Sequence, residues 1–279
     1  MMIWRLRQAL AGCASLLIIT AYIICIIIAK VNDTYTGGLS FPYFSDIGRD
    51  PPAYYVFAVF LSVAGVLMVG FMVIQNYYFR EWFSQIPESS YKCRSITSTV
   101  CGSIAGIAAA LLSIFDTSSY PSVHNYSAYV FFVFILVYTG VNLSLYRSLA
   151  TTSVQHQTML FPRYVVVAVL GVAFIIYIPV GLALVSFSEL TMTDCLAQID
   201  TQFCLDHSVP GTNNTDLWDY RAQEGVNLMR TSSQFISVIS VMVFLFFNVF
   251  DPYPEMRVKE VPDAISRSNQ FPSTAFSNP

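Results

Sequence analysis

Three short stretches of an otherwise apolar chain carry side chains able to do chemistry. The first, "FPYFSDIGRDPP" at residues 41–52, brings Asp46, Arg49 and Asp50 together. The second, "FDTSSYPSVHNYSAYVFF", runs from Asp116 at its start to His124, and the third, "QFISVISVMVFLFFNVFDPY", opens on Gln234. A guanidinium offers a planar fork to a phosphate, and a carboxylate accepts from an ammonium. A phospholipid headgroup carries both groups. Polar residues of this kind at a membrane boundary bind a headgroup or mark a catalytic site. The same residues have a plainer use, because Ser45, Asp46 and Gly48 can cap and lock a turn ahead of a helix. No nucleophile elbow, H-E-x-x-H or paired-cysteine zinc pattern occurs. His156 and His207 are isolated on opposite sides of the chain's apolar segments. The residues therefore imply no catalytic group, no metal and no cofactor.

These residues have to be held by the apolar segments around them. Hydrophobic residues make up 55% of the chain and charged ones 11%, where a soluble domain carries about a quarter charged. That imbalance specifies a polytopic membrane protein. The net charge of −3 argues against a nucleic-acid partner. Six runs, near residues 9–29, 54–77, 96–115, 128–145, 164–185 and 228–250, approach the ~20 residues that a bilayer requires. Only helices satisfy their backbone groups within lipid, so the expected fold is an all-α bundle of six transmembrane helices over residues 1–250. No separate soluble domain is expected. The first run is too long for a signal-peptide core and no small-residue cleavage site follows it, so it reads as an uncleaved span. The cluster "CGSIAGIAAALLS" marks the third span for close packing. Pro179 should kink the fifth.

With six spans both termini share a side. Ten of the 14 lysines and arginines fall on that side, Arg7 and Arg163 among them, which places the termini in the cytosol. The sequons at Asn32, Asn125 and Asn213 fall one in each opposite loop, as expected for N-glycosylation there. Asn142 lies inside the fourth span, where it could not be used. Cys195 and Cys204 sit close together in the long last outer loop and are expected to form a disulfide. Cys13, Cys25 and Cys101 read as packing residues within spans. The segment 251–279 reads as a disordered cytosolic tail. Within it, Tyr253 and Met256 fit the tyrosine-x-x-bulky pattern read by sorting adaptors.

The stretch "PYFSDIG" resembles the first-loop motif of damage-regulated autophagy modulators. Those proteins belong to a six-span superfamily that also holds Golgi GPI-anchor remodelling factors and the yeast suppressor-of-four-kinase proteins. Pro42, Tyr43, Ser45, Asp46, Gly48 and Pro51 match in order, with Phe44 and Ile47 substituted. His124 matches the second-loop histidine, and Gln234-Phe235 takes the place of a glutamate–aromatic pair. The resemblance implies a non-catalytic protein of lysosomal or endosomal membranes that modulates autophagy or lipid homeostasis, with membrane lipids as partners. GPI-anchor remodelling in the Golgi or ER, or control of phospholipid distribution at the plasma membrane, are the alternatives it implies. A transporter or channel is a further reading, opposed by the scarcity of charge within the spans.

Overall fold

Each apolar run closes its backbone hydrogen bonds on itself, and six helices in the computed structural model are long and apolar enough to cross a membrane. The structure describes residues 2–84, 91–151, 154–185 and 188–252. The helices are α1 (Met2–Val31), the short α2 (Phe44–Ile47), α3 (Ala53–Phe83), α4 (Tyr91–Ile114), α5 (Pro121–Ala150), α6 (Val154–Ile175) with its continuation α7 (Gly181–Leu184), and α10 (Glu224–Phe246). A cap between α7 and α10 holds β1 (Ser188–Thr191), α8 (Met192–Gln198), α9 (Thr201–Asp206) and β2 (Asn214–Asp219).

The helices outrun the apolar windows that announce them. α3 and α5 extend past residues 77 and 145 because helical hydrogen bonding continues through charged turns that a hydropathy window excludes. At ~1.5 Å per residue, the 31 residues of α3 exceed the ~30 Å hydrocarbon core. Neighbours in sequence are neighbours in space: α1 packs on α3, α3 on α4, α4 on α5, α5 on α6, α6 on α10, and α10 returns to α1. The spans form a closed ring around a buried interior.

Small residues set the tightest contact of that ring. A Cβ placed on Gly106 would lie 2.8 Å from the Gly65 carbonyl oxygen, so α3 and α4 meet backbone to backbone. In the fifth span the expected distortion takes a definite form. Pro179 sits in a π-helical turn, Ile176–Val180, between α6 and α7. Its missing N–H removes a rung of the ladder and the wider turn absorbs the defect.

The long loop before the last span adds a small two-stranded sheet to the helical bundle. β1 pairs antiparallel with β2, with Ser188 opposite Asp219 and Thr191 opposite Asn214. Cys195 and Cys204 are joined, their Cα atoms 5.9 Å apart, and with Leu190 and Leu217 they make the core of the cap.

Candidate functional site

The loop between α1 and α3, residues 32–52, is threaded between the cap and the bundle. α2 is pinned from below by Gln234, whose Oε1 accepts from the Phe44 N–H (3.2 Å) while its Nε2 donates to the Tyr177 hydroxyl (3.1 Å). Tyr43 is held by α10, donating to Asn227 Oδ1 and accepting from Arg230 Nη1, each at 3.0 Å. From above, the Tyr220 N–H donates to the Gly37 carbonyl (3.1 Å), and the Tyr220 ring packs edge-on against that of Tyr43. These contacts enclose a polar chamber of about 150 Å³ at the cap end of the bundle, walled by Tyr43, Asp46, His124, Tyr177, Tyr220 and Arg230. Gln234 lies on its floor and Asn125 at its edge.

The chamber does not stop at the polar layer. Ser45, His124, Ala128 and Gln234 also line an apolar cleft of about 60 Å³ that enters the bundle between Leu61, Met68, Phe131 and Val238. A polar head compartment thus opens onto an apolar one, in the order in which a lipid presents its parts to a membrane protein.

The electrostatics of the chamber are set by burial. Asp46 is only 4% exposed. Burial pushes its carboxyl up to about 6, against the opposing pull of Arg49 and the Tyr220 hydroxyl. Burial likewise pushes the Tyr220 phenol well above its ordinary value, with the Asp46 charge adding to it. His124 donates from Nδ1–H to the Phe115 carbonyl (2.9 Å), so in the neutral ring Nε2 is the acceptor. Arg230 fits because Gly181 lies beneath it: a Cβ there would come within 2.6 Å of the Arg230 Cγ.

The six candidate residues divide into two groups. Asp46, His124 and Gln234 meet at the chamber. Arg49, Asp50 and Asp116 do not. Arg49 turns to Asp50 (2.7 Å) and to the Tyr35 carbonyl (3.0 Å). Asp50 lies 3.8 Å from His207, which bonds Asp216 of the cap at 2.7 Å. Asp116 receives the backbone N–H groups of Ser118 and Ser119, making it a turn cap. Arg230, one of the four basic residues outside the ten counted on the side of the termini, takes the cationic place in the chamber. Its signal was available: an arginine inside an apolar run needs a polar cavity to face.

Asn32 and Asn213, in loops, and Asn125, near the start of α5, are exposed at the cap end. Asn142 is buried in α5 and donates to Ser98 Oγ at 3.1 Å, a packing role. Among the described residues no cluster suited to a metal ion occurs. Tyr253 and Met256 lie outside the described residues.

A second polar cluster occupies the opposite end of the bundle. Asp251, just past α10, bonds both Arg7 of α1 and Arg163 of α6, the latter at 2.7 Å. Tyr146 hydrogen-bonds Asp251, and Gln75 Nε2 donates to the Tyr146 hydroxyl at 2.9 Å. The Arg163 guanidinium lies 3.7 Å over the Tyr146 ring and that of Arg7 3.9 Å over Tyr78. Both arginines are 1% exposed, so they serve the interior and not the membrane surface.

A family model, the Frag1/DRAM/Sfk1/Cwh43P N-terminal domain, matches residues 7–254. No curated protein and no solved structure matches the chain.

Proposed function

The chain belongs to the Frag1/DRAM/Sfk1/Cwh43P family, and from that premise we propose that it is a non-catalytic multi-pass protein of endolysosomal membranes. In this reading it modulates lipid homeostasis, and through it autophagy, by holding a lipid in the chamber at the cap end. The observation that carries the reading is the polar chamber of Asp46, His124 and Arg230 joined to an apolar cleft through Ser45, Ala128 and Gln234. The cap end faces the non-cytosolic side, as the exposed sequons at Asn32, Asn125 and Asn213 support, and the termini are cytosolic.

The test joins localisation to lipid content. A C-terminally tagged chain is expected to co-localise with lysosomal markers and to carry glycans removable by glycosidase. Purified from those membranes at pH 7.5, it is expected to carry a lipid that the variant Ala128→Phe loses, since Ala128 borders both chamber and cleft. Equal lipid in both proteins sinks the lipid-site reading. Retention in the Golgi or ER moves the role to that compartment, and a plasma-membrane signal moves it to phospholipid distribution there.

One observation favours an enzymatic second reading, remodelling of a lipid anchor. A carboxyl titrating at about 6 is suited to proton transfer near neutrality, and His124 lines the same chamber. Conversion of a labelled lipid by the reconstituted wild type, absent in Asp46→Asn, would establish it.

A further inference from the structure

A buried carboxylate oxygen normally has a donor. Asp46 has one oxygen that does not: Oδ2 is buried without a hydrogen-bond partner, on a residue that lines the chamber. Its nearest cation does not supply that donor, because Arg49 spends Nε and Nη2 on Asp50 and the Tyr35 carbonyl. Leaving such an acceptor buried and unmade costs free energy that a ligand donor would recover. The α10 wall of the same chamber carries the opposite charge, the Arg230 guanidinium. One chamber therefore offers an acceptor for an N–H cation and a cation for an anion.

We propose that the chamber takes the headgroup of an amine-bearing phospholipid, with its ammonium on Asp46 Oδ2 and its phosphate toward Arg230. The assignment rests on the lipid-site reading above and adds a headgroup class to it. The apolar cleft beyond Ser45, Ala128 and Gln234 receives the start of the acyl chains. The orphan oxygen also sets the selectivity. A primary ammonium brings three N–H donors, whereas a trimethylammonium brings none and leaves Oδ2 unpaired. Charge alone would not separate the two; the missing N–H does.

The experiment uses the full chain in detergent micelles and native mass spectrometry with dioleoyl-phosphatidylethanolamine and its mono-, di- and trimethylated derivatives at equal concentration. For wild type, bound lipid is expected to fall by about tenfold or more across the series, the worth of one hydrogen bond to a charged group. In Asp46→Asn, which keeps the shape of the side chain, the series is expected to be flat. Should that variant fail to fold, the wild-type series decides alone. A flat wild-type series with lipid still displaced in Ala128→Phe overturns the amine assignment and leaves the lipid site standing. Lipid that Ala128→Phe does not displace overturns both. Soluble phosphoethanolamine is the remaining arm: binding as tight as that of the lipid would make the ligand a free metabolite and overturn the phospholipid assignment.

Discussion

At the residue scale Asp46 sets function against stability. Its folded carboxyl titrates at about 6, above the ~3.9 of an unfolded aspartate. The folded state then holds the extra proton between those values, so stability is greatest below them and falls as pH rises through about 6. An amide escapes that penalty. Asp46→Asn is expected to be more stable than wild type at pH 7.5, by an amount on the order of 3 kcal/mol for two pKa units, and equal to it near pH 4. Thermal unfolding in detergent at the two pH values checks this. Ammonium binding needs the ionised form, so the ethanolamine lipid is expected to leave as pH falls from 7 to 5, with a midpoint near 6. The groups facing Asp46 are Arg49, Asp50 and Tyr220, with Arg230 and His124 sharing its chamber. A midpoint unchanged in Asp46→Asn would assign the transition to another of these. The motif "PYFSDIG" made Asp46 legible, and His124 and Gln234 followed from the family resemblance that the motif carries. Arg49 was legible as a charge but not as a partner, since its neighbour Asp50 captures it at 2.7 Å. The bonds Gln234 makes were not legible either. They depend on Phe44 and Tyr177, which approach from a different loop and a different span.

At the element scale the cap and the α3–α4 contact carry separable loads. The disulfide closes a short loop, with the cysteines nine positions apart, a constraint worth ~2–3 kcal/mol against the unfolded chain. The double variant Cys195→Ser, Cys204→Ser is expected to speed amide exchange across α8, α9 and β2 and to weaken lipid retention, because Trp218 of β2 and Tyr220 just after it wall the chamber. Exchange in α1 and α3 should be unchanged. Gly65→Val tests the other load. Its side chain would overlap the Gly106 carbonyl oxygen, and the expected loss of ~1–3 kcal/mol or more should appear as a lower unfolding temperature in detergent. The small-residue cluster of α4 was readable from composition. Its partner on α3 was not, because Ser62, Ala64 and Gly70 share the run with Gly65 and only the crossing geometry selects it. The sheet of the cap was equally hidden: "SELT" and "NTDLWD" are too short and too polar to announce strands, and they pair across an intervening disulfide loop.

At the scale of the whole molecule, the ring is closed at its terminal end by Asp251 between Arg7 and Arg163. Burial opposes ionisation of Asp251, but Arg163 and Arg7 outweigh it and hold the carboxyl below the ordinary value. A depressed carboxyl contributes its stability above ~3.9 and loses it only as pH falls through the lower folded value. The cluster is therefore expected to stay ionised at pH 5, where Asp46 does not. Asp251→Asn leaves two buried guanidiniums without their carboxylate and should cost ~3–5 kcal/mol. Loss of the folded fraction in detergent, with little recovery between pH 5 and 7, is the expected outcome. Six spans were legible because each is a local property of hydropathy, but this closure joins residues 244 positions apart and leaves no local trace. It also has a consequence for biogenesis. Arg7 and Arg163 leave the ribosome before Asp251 does, so during synthesis each stands at the membrane with its counter-ion still unmade. Arg7 of the first span can complete its ion pair only after the sixth has been threaded. Until then the half-made bundle is a substrate for whatever chaperone or quality-control factor reads exposed charge within the bilayer, and a chain stopped before residue 251 stays one.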